Sequence, residues 1–230
     1  MSMSIRKLLF ATLMLTSSIS NANAAMILNN TQEVEAISIT ESFRSFYDYN
    51  NGSRYASDTG LEVEDSFVFF LAQFNGKSAL FGLLDGTNNG DDVLFDVTLS
   101  DSSNSLGNLI LKDDPTSDSF SSTSPGYWLF EYNMRDRPGR GDGFVYLLGD
   151  GGYTSLDVSS AFNSGSARGA YFVSFENGNS EYIDLGMSLT SLQFSLSSVD
   201  KLQSVEVASP STLGLFSLAL MVFAIRKRRF

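Results

Sequence analysis

Ser66 to Leu84 reads SFVFFLAQF-NG-KSALFGLL, and two features of this stretch decide the fold class. Its first nine residues are apolar at odd and even positions alike, the pattern of a strand buried on both faces inside a sheet. Asn75-Gly76 then provides two residues that tolerate positive φ. That is the chemistry of a two-residue hairpin, so the second run should return antiparallel beside the first.

Working outward, the same alternation recurs with one polar face. In DVLFDVTLS, Val93, Phe95, Val97 and Leu99 share one side, while Leu94, Asp96 and Thr98 share the other. Leu192, Phe194 and Leu196 alternate with Ser191, Gln193, Ser195 and Ser197, and Trp128, Phe130 and Tyr132 with Tyr127, Leu129 and Glu131. Period two sustained by β-branched and aromatic residues marks half-buried strands. Turn formers cluster between the runs, at Asn50 to Gly52, Asp85 to Asp92, Asp101 to Asn104, Pro138 to Gly143, Gly149 to Gly152 and Asn177 to Asn179. The Ser- and Asp-rich stretch from Asp113 to Pro125 reads as a mobile loop. No amphipathic helix is expected in the body, and no fixed repeat period points to a propeller or solenoid. The expectation is a single all-β domain over residues 25–206, a β-sandwich of about ten strands, Ig-like or jelly-roll.

The two ends carry different signals. Arg6 and Lys7 followed by the apolar run Leu8 to Leu15 and by Ala22-Asn23-Ala24 have the form of a cleavable signal peptide over residues 1–24, with Ala22 and Ala24 as the small residues before the cut. The last 24 residues, VASPSTLGLFSLALMVFAIRKRRF, contain a 13-residue uncharged run from Leu213 to Ile225. At about 1.5 Å per residue such a helix spans roughly 20 Å of a hydrocarbon core about 30 Å thick, a poor permanent anchor. Arg226, Lys227, Arg228 and Arg229 would hold its end in the cytoplasm by the positive-inside rule.

The order of Pro-Ser-Thr-Leu, a short apolar helix and a terminal basic cluster resembles the PEP-CTERM sorting tail of Gram-negative bacteria. Val207 and Pro210 match the first and last residues of the family's Val-Pro-Glu-Pro form, while Ala208 and Ser209 depart from it. The resemblance covers residues 207–230. It implies processing by an exosortase, after export and signal-peptidase cleavage, and association with exopolysaccharide. The protein would be an inner-membrane-anchored precursor held there transiently, then sorted to the cell surface, outer membrane or extracellular matrix.

Charge and composition narrow the function of the body. Six of the 15 basic residues lie in the two ends and all 26 acidic ones between them, so the body carries a net charge of −17 against −11 for the whole chain. Nucleic acid is thereby disfavoured as a partner, since its binding rests on Lys and Arg neutralising phosphates. The chain has no Cys and no His, which removes the common zinc sites, Ser-His-Asp triads and Cys-His nucleophiles.

Three candidate sites remain. Asp85, Asn89, Asp91 and Asp96 surround the turn at Gly90 and resemble a calcium loop, although Thr87, Asp92 and a terminal Asp break the EF-hand pattern. A solvated loop between strands accounts for the same residues. The carboxylate pairs Glu62 and Glu64, Asp91-Asp92 and Asp113-Asp114 are what a glycoside hydrolase would need if they converged; charged turns explain them equally. Tyr47, Tyr49, Tyr55 and above all Tyr153 lie in turn-like contexts, where exposed rings could stack on sugars. Arg140-Gly141-Asp142 reads as a Gly-rich turn. The leading expectation is a non-catalytic structural or adhesive surface protein; a carbohydrate-binding module and a carboxylate glycosidase are the alternatives.

Overall fold

The computed structural model describes residues 25–47, 57–85, 93–113, 118–134, 141–149, 155–165, 167–186 and 191–199. The chain divides into two compact units, Met1–Ser198 and Val199–Phe230, and every described strand lies in the first. The first half contributes β1 (Ala25–Leu28), β2 (Gln32–Glu35), β3 (Ile37–Ser38), helix α1 (Phe43–Tyr47), β4 (Ser66–Phe74), β5 (Lys77–Asp85) and β6 (Val93–Asp101). The rest contributes β7 (Asn108–Lys112), β8 (Ser119–Ser124), β9 (Tyr127–Met134), β10 (Gly141–Leu147), β11 (Ser155–Ser164), β12 (Gly169–Glu176), β13 (Asn179–Asp184) and β14 (Ser191–Ser198).

These strands form two sheets. One runs β2-β1-β14-β11-β6-β9-β8; the other runs β13-β12-β4-β5-β10-β7, with β3 also paired to β4. The first is antiparallel throughout, whereas β12 and β3 both lie parallel to β4 in the second. The opening hairpin forms as its sequence requires: Phe74 pairs with Lys77, and Asn75 and Gly76 take φ of 49° and 74°. β4 is central in its sheet, between β5 on one side and β12 and β3 on the other.

Alternation sorts the side chains into layers. Phe67, Phe69 and Leu71 of β4 meet Val93, Phe95, Val97 and Leu99 of β6 and Leu192, Phe194 and Leu196 of β14 in one core between the sheets. Rings cross the gap directly: Phe67 to Phe95 at 5.2 Å, Phe69 to Phe194 at 4.8 Å, and Phe130 stacked on Phe144 at 4.9 Å between centroids. The Phe144 ring lies over Gly82, where an added Cβ would come within 2.4 Å of it, so a side chain there would displace the ring.

The opposite face of the second sheet is covered as well, which is why β4 needs apolar residues on both sides. Val68, Phe70, Phe81, Val145 and Val173 are buried there beneath Phe43 and Tyr47 of α1 and beneath Leu61. The helix that supplies this cover is only five residues long and was not expected from the sequence. Ser42 caps it by accepting the Ser45 N–H at 3.2 Å, and Arg44 ties it to β7 by donating to the Ile110 carbonyl at 2.6 Å. A segment so short carries almost no periodicity, and packing rather than propensity holds it.

Two loop expectations are corrected. Ser119–Ser124, inside the stretch read as mobile, is edge strand β8, and Asp113 at its start is fully buried. Its Ser-rich composition looked like loop because only Phe120 points to the core, against Phe130 and Tyr132. Gly141 to Gly143, read as turn, begins β10; glycine is needed there because a Cβ on Gly143 would meet the Gly82 carbonyl at 2.5 Å. Among the described residues no helix is long and apolar enough to cross a membrane. The segments 1–24 and 207–230, with Ala22, Ala24, Val207, Pro210 and Arg226 to Arg229, lie outside the described residues.

Candidate functional site: a tyrosine-flanked groove

The β12–β13 hairpin turns through Asn177 and Gly178, at φ of 51° and 81°, and this fixes its register. Val173 therefore faces Tyr182, Phe175 faces Ser180 and Tyr171 faces Asp184. All six belong to the outer side of the second sheet. Val173 and Phe175 sink into the covered cluster there, but β13 is an edge strand and the cover stops at Leu61. Tyr171 is left half-buried and Tyr182 is 41% exposed.

The two rings meet edge to face, 6.3 Å apart at 78°. The Tyr171 ring folds back over Gly169, where a Cβ would sit 2.9–3.1 Å from ring atoms and the hydroxyl. Tyr182 donates its hydroxyl to the Leu61 carbonyl at 3.3 Å. Burial, and then the Glu62 charge, push its phenol pKa upward, so the ring is neutral at physiological pH.

Leu61, whose carbonyl accepts from Tyr182, also lines a depression of about 340 Å³ together with Ala36, Ile37, Ser38, Phe175, Gly178 and Ser180. The depression exists because β12 and β3 share one edge of β4. β12 pairs with Ser66 to Phe70 and β3 only with Ala72 and Gln73, leaving a notch where one ends and the other begins. Carboxylates flank the rings. Glu62 is held by Ser57 Oγ at 2.8 Å and by Thr59 N and Oγ1 at 2.8 and 3.0 Å, and exposed Asp184 accepts the Gly186 N–H at 2.8 Å. An apolar floor, one exposed and one half-buried ring and a polar rim form a surface that can stack on a sugar face and hydrogen-bond its hydroxyls.

The sequence-derived candidates fall elsewhere. Asp96 lies within β6 on the outer face of the first sheet, accepting from Asn163 Nδ2 at 3.0 Å, whereas Asp85 ends β5 in the other sheet. Asn89 and Asp91 are outside the described residues, as are Tyr49, Tyr55, Tyr153 and Arg140. Among the described residues no group of three or more acidic side chains converges closely enough to hold a metal ion. Asp96 also borders a second depression of about 340 Å³, with Thr98, Leu129, Ser159 and Gln193; no aromatic ring lines it.

Tyr47 is fully buried rather than exposed in a turn, and donates to Asp113 Oδ2 at 2.7 Å. Burial and the Asp113 charge push its pKa well above the usual phenol value. Asp142 is buried too, within β10, so Gly141 and Asp142 are strand rather than turn. Asp101 anchors the turn after β6: it accepts from Ser103 N at 2.9 Å, Ser103 Oγ, Gly107 N at 2.7 Å and Tyr146 Oη at 2.7 Å.

No protein-family model matches the chain, and no curated protein matches it. A solved structure described as "Complete structure of manganese lipoxygenase of Gaeumannomyces graminis and partial structure of zonadhesin of Komagataella pastoris" is similar at 11% identity and a TM-score of 0.34. The match covers 78% of this chain and 61% of that one, so the chain spans about three fifths of its length. At that score the likeness carries no argument about fold or activity.

Proposed function

We propose that this is an exported, non-catalytic β-sandwich that adheres to extracellular polysaccharide through the Tyr171–Tyr182 groove after sorting to the cell surface or matrix. The observation that carries the reading is the edge-to-face tyrosine pair of the β12–β13 hairpin, with Tyr182 exposed on the edge strand and bonded to Leu61 at the rim of the depression. The tail resemblance and the signal-peptide pattern support the route, with exosortase and signal peptidase as processing partners and the inner membrane as a transient station. The fold within this reading is an elaborated Ig-like or jelly-roll sandwich, whose parallel β3–β4 and β4–β12 pairings depart from the antiparallel form of both.

Mass spectrometry of the surface-located protein tests the route. The expected mature chain begins at Ala25 and lacks everything after about Pro210. Deleting Arg226 to Arg229 should impair membrane retention and sorting, because the orienting charge is gone. An intact Phe230 on the surface-located protein would defeat the processing claim and leave a plain membrane anchor.

A further inference from the structure

We infer that the groove selects a cationic amino-sugar polymer, one whose units carry free protonated amines, over neutral and uronic-acid polysaccharides. This rests on the reading that the groove holds polysaccharide. The tyrosine pair is bracketed by negative charge, with the Glu62 carboxylate close enough to Tyr182 to raise its phenol pKa and Asp184 directly across the strands from Tyr171. β12 and β13 contain no Lys or Arg, and Arg168, just before β12, is matched by Asp65 at 2.8 Å.

Each class of polymer meets these groups differently. A uronic-acid polymer would bring like charge against Glu62 and Asp184, in a body of net charge −17. A neutral glycan could stack on the rings yet would gain nothing from the flanking carboxylates. An ammonium-bearing sugar satisfies both parts of the site. Its ring faces the tyrosines, its charge pairs with a carboxylate, and a cation near an aromatic face adds its own attraction.

Retention of the full mature protein is measured on four immobilised polymers: partially deacetylated poly-N-acetylglucosamine, its fully acetylated form, a neutral glucan and a polyuronate. The deacetylated polymer should retain the protein most strongly, with retention falling as salt rises. Tyr182→Ala should abolish retention on it. Glu62→Gln with Asp184→Asn keeps the local hydrogen-bond acceptors and should weaken retention about fivefold to tenfold, the scale of two exposed ion pairs. Asp157→Asn, on the outer face of the first sheet, should change nothing. Equal retention on the acetylated form, with the double variant unaffected, would overturn the charge selection while leaving the groove as a glycan site. If Asp157→Asn weakens retention as much as Asp184→Asn does, bulk charge is responsible and the inference falls. If none of the four polymers retains the wild-type protein, the groove reading itself falls.

Discussion

Phe81→Ala is expected to lower the unfolding free energy by about 3–5 kcal/mol, the cost of emptying a large, fully buried aromatic site. Phe81 is the hub of the covered outer face of the second sheet. Its ring stacks on Phe70 at 4.7 Å and meets Phe43, Phe46 and Tyr47 of α1 at 6.2, 5.8 and 6.4 Å. The helix is too short to stand alone, so removing the ring that all three of its aromatics touch should loosen the whole cover. At about 2–4 °C per kcal/mol for a domain of this size, calorimetry should record a melting temperature lower by roughly 6–20 °C. A drop of only a degree or two would mean that the cover contributes little and that β4 and β5 are held by the inter-sheet core alone.

Asp101→Ala should cost nearly as much for a different reason. The carboxylate gathers Ser103, Gly107 and Tyr146, and truncation would leave buried donors without an acceptor. With about 1–3 kcal/mol for each orphaned group and partial relief by water, the expected loss is about 3–5 kcal/mol. The effect should depend on pH. Burial pushes the Asp101 carboxyl up, but the hydrogen bonds from Ser103, Gly107 and Tyr146 outweigh it and hold the group below its ordinary value of 3.8. A depressed carboxyl contributes its stability in full above the unfolded value and loses it as pH falls through the folded one. Denaturant melts of wild type and Asp101→Ala should therefore differ by a constant amount near neutrality, and the gap should narrow below about pH 4. A gap that persists unchanged into strong acid would mean that the charge of Asp101 is not what holds the turn.

The strands were legible because each long run keeps a strict alternation. Val93 to Leu99, Leu192 to Leu196 and Trp128 to Tyr132 all present the faces that their sequences specify. Ser66 to Phe74 was read as central from composition alone, and two buried faces explain it. What the sequence hid depends on contacts between distant segments. Nothing in FRSFY distinguishes a capped turn of helix from loop until Phe70 and Phe81 supply the surface it covers. Asp113 and Asp142 read as solvated turn residues, since burial of an acid is decided by its tertiary neighbours and not by its own chain.

The candidate site was missed for a related reason. Tyr171 alternates with Val173 and Phe175, and so reads as core. Tyr182 in SEYID has little apolar company, and its exposure follows only from the edge position of β13 and from the end of the cover at Leu61. A turn-like sequence context is no guide to exposure either, since Tyr47 is fully buried. The useful signal was the hairpin turn at Asn177-Gly178, which fixes both tyrosines on one face once the strand order is known.

Hydroxyl-radical footprinting of the mature protein, with and without matrix polysaccharide from the producing cells, tests the central claim most directly. If the groove is the binding surface, polysaccharide should protect Tyr171 and Tyr182 from oxidation while leaving Leu129 and Tyr127, on the outer face of the first sheet, as reactive as before. Protection confined to that outer face, with Tyr171 and Tyr182 unchanged, would contradict it.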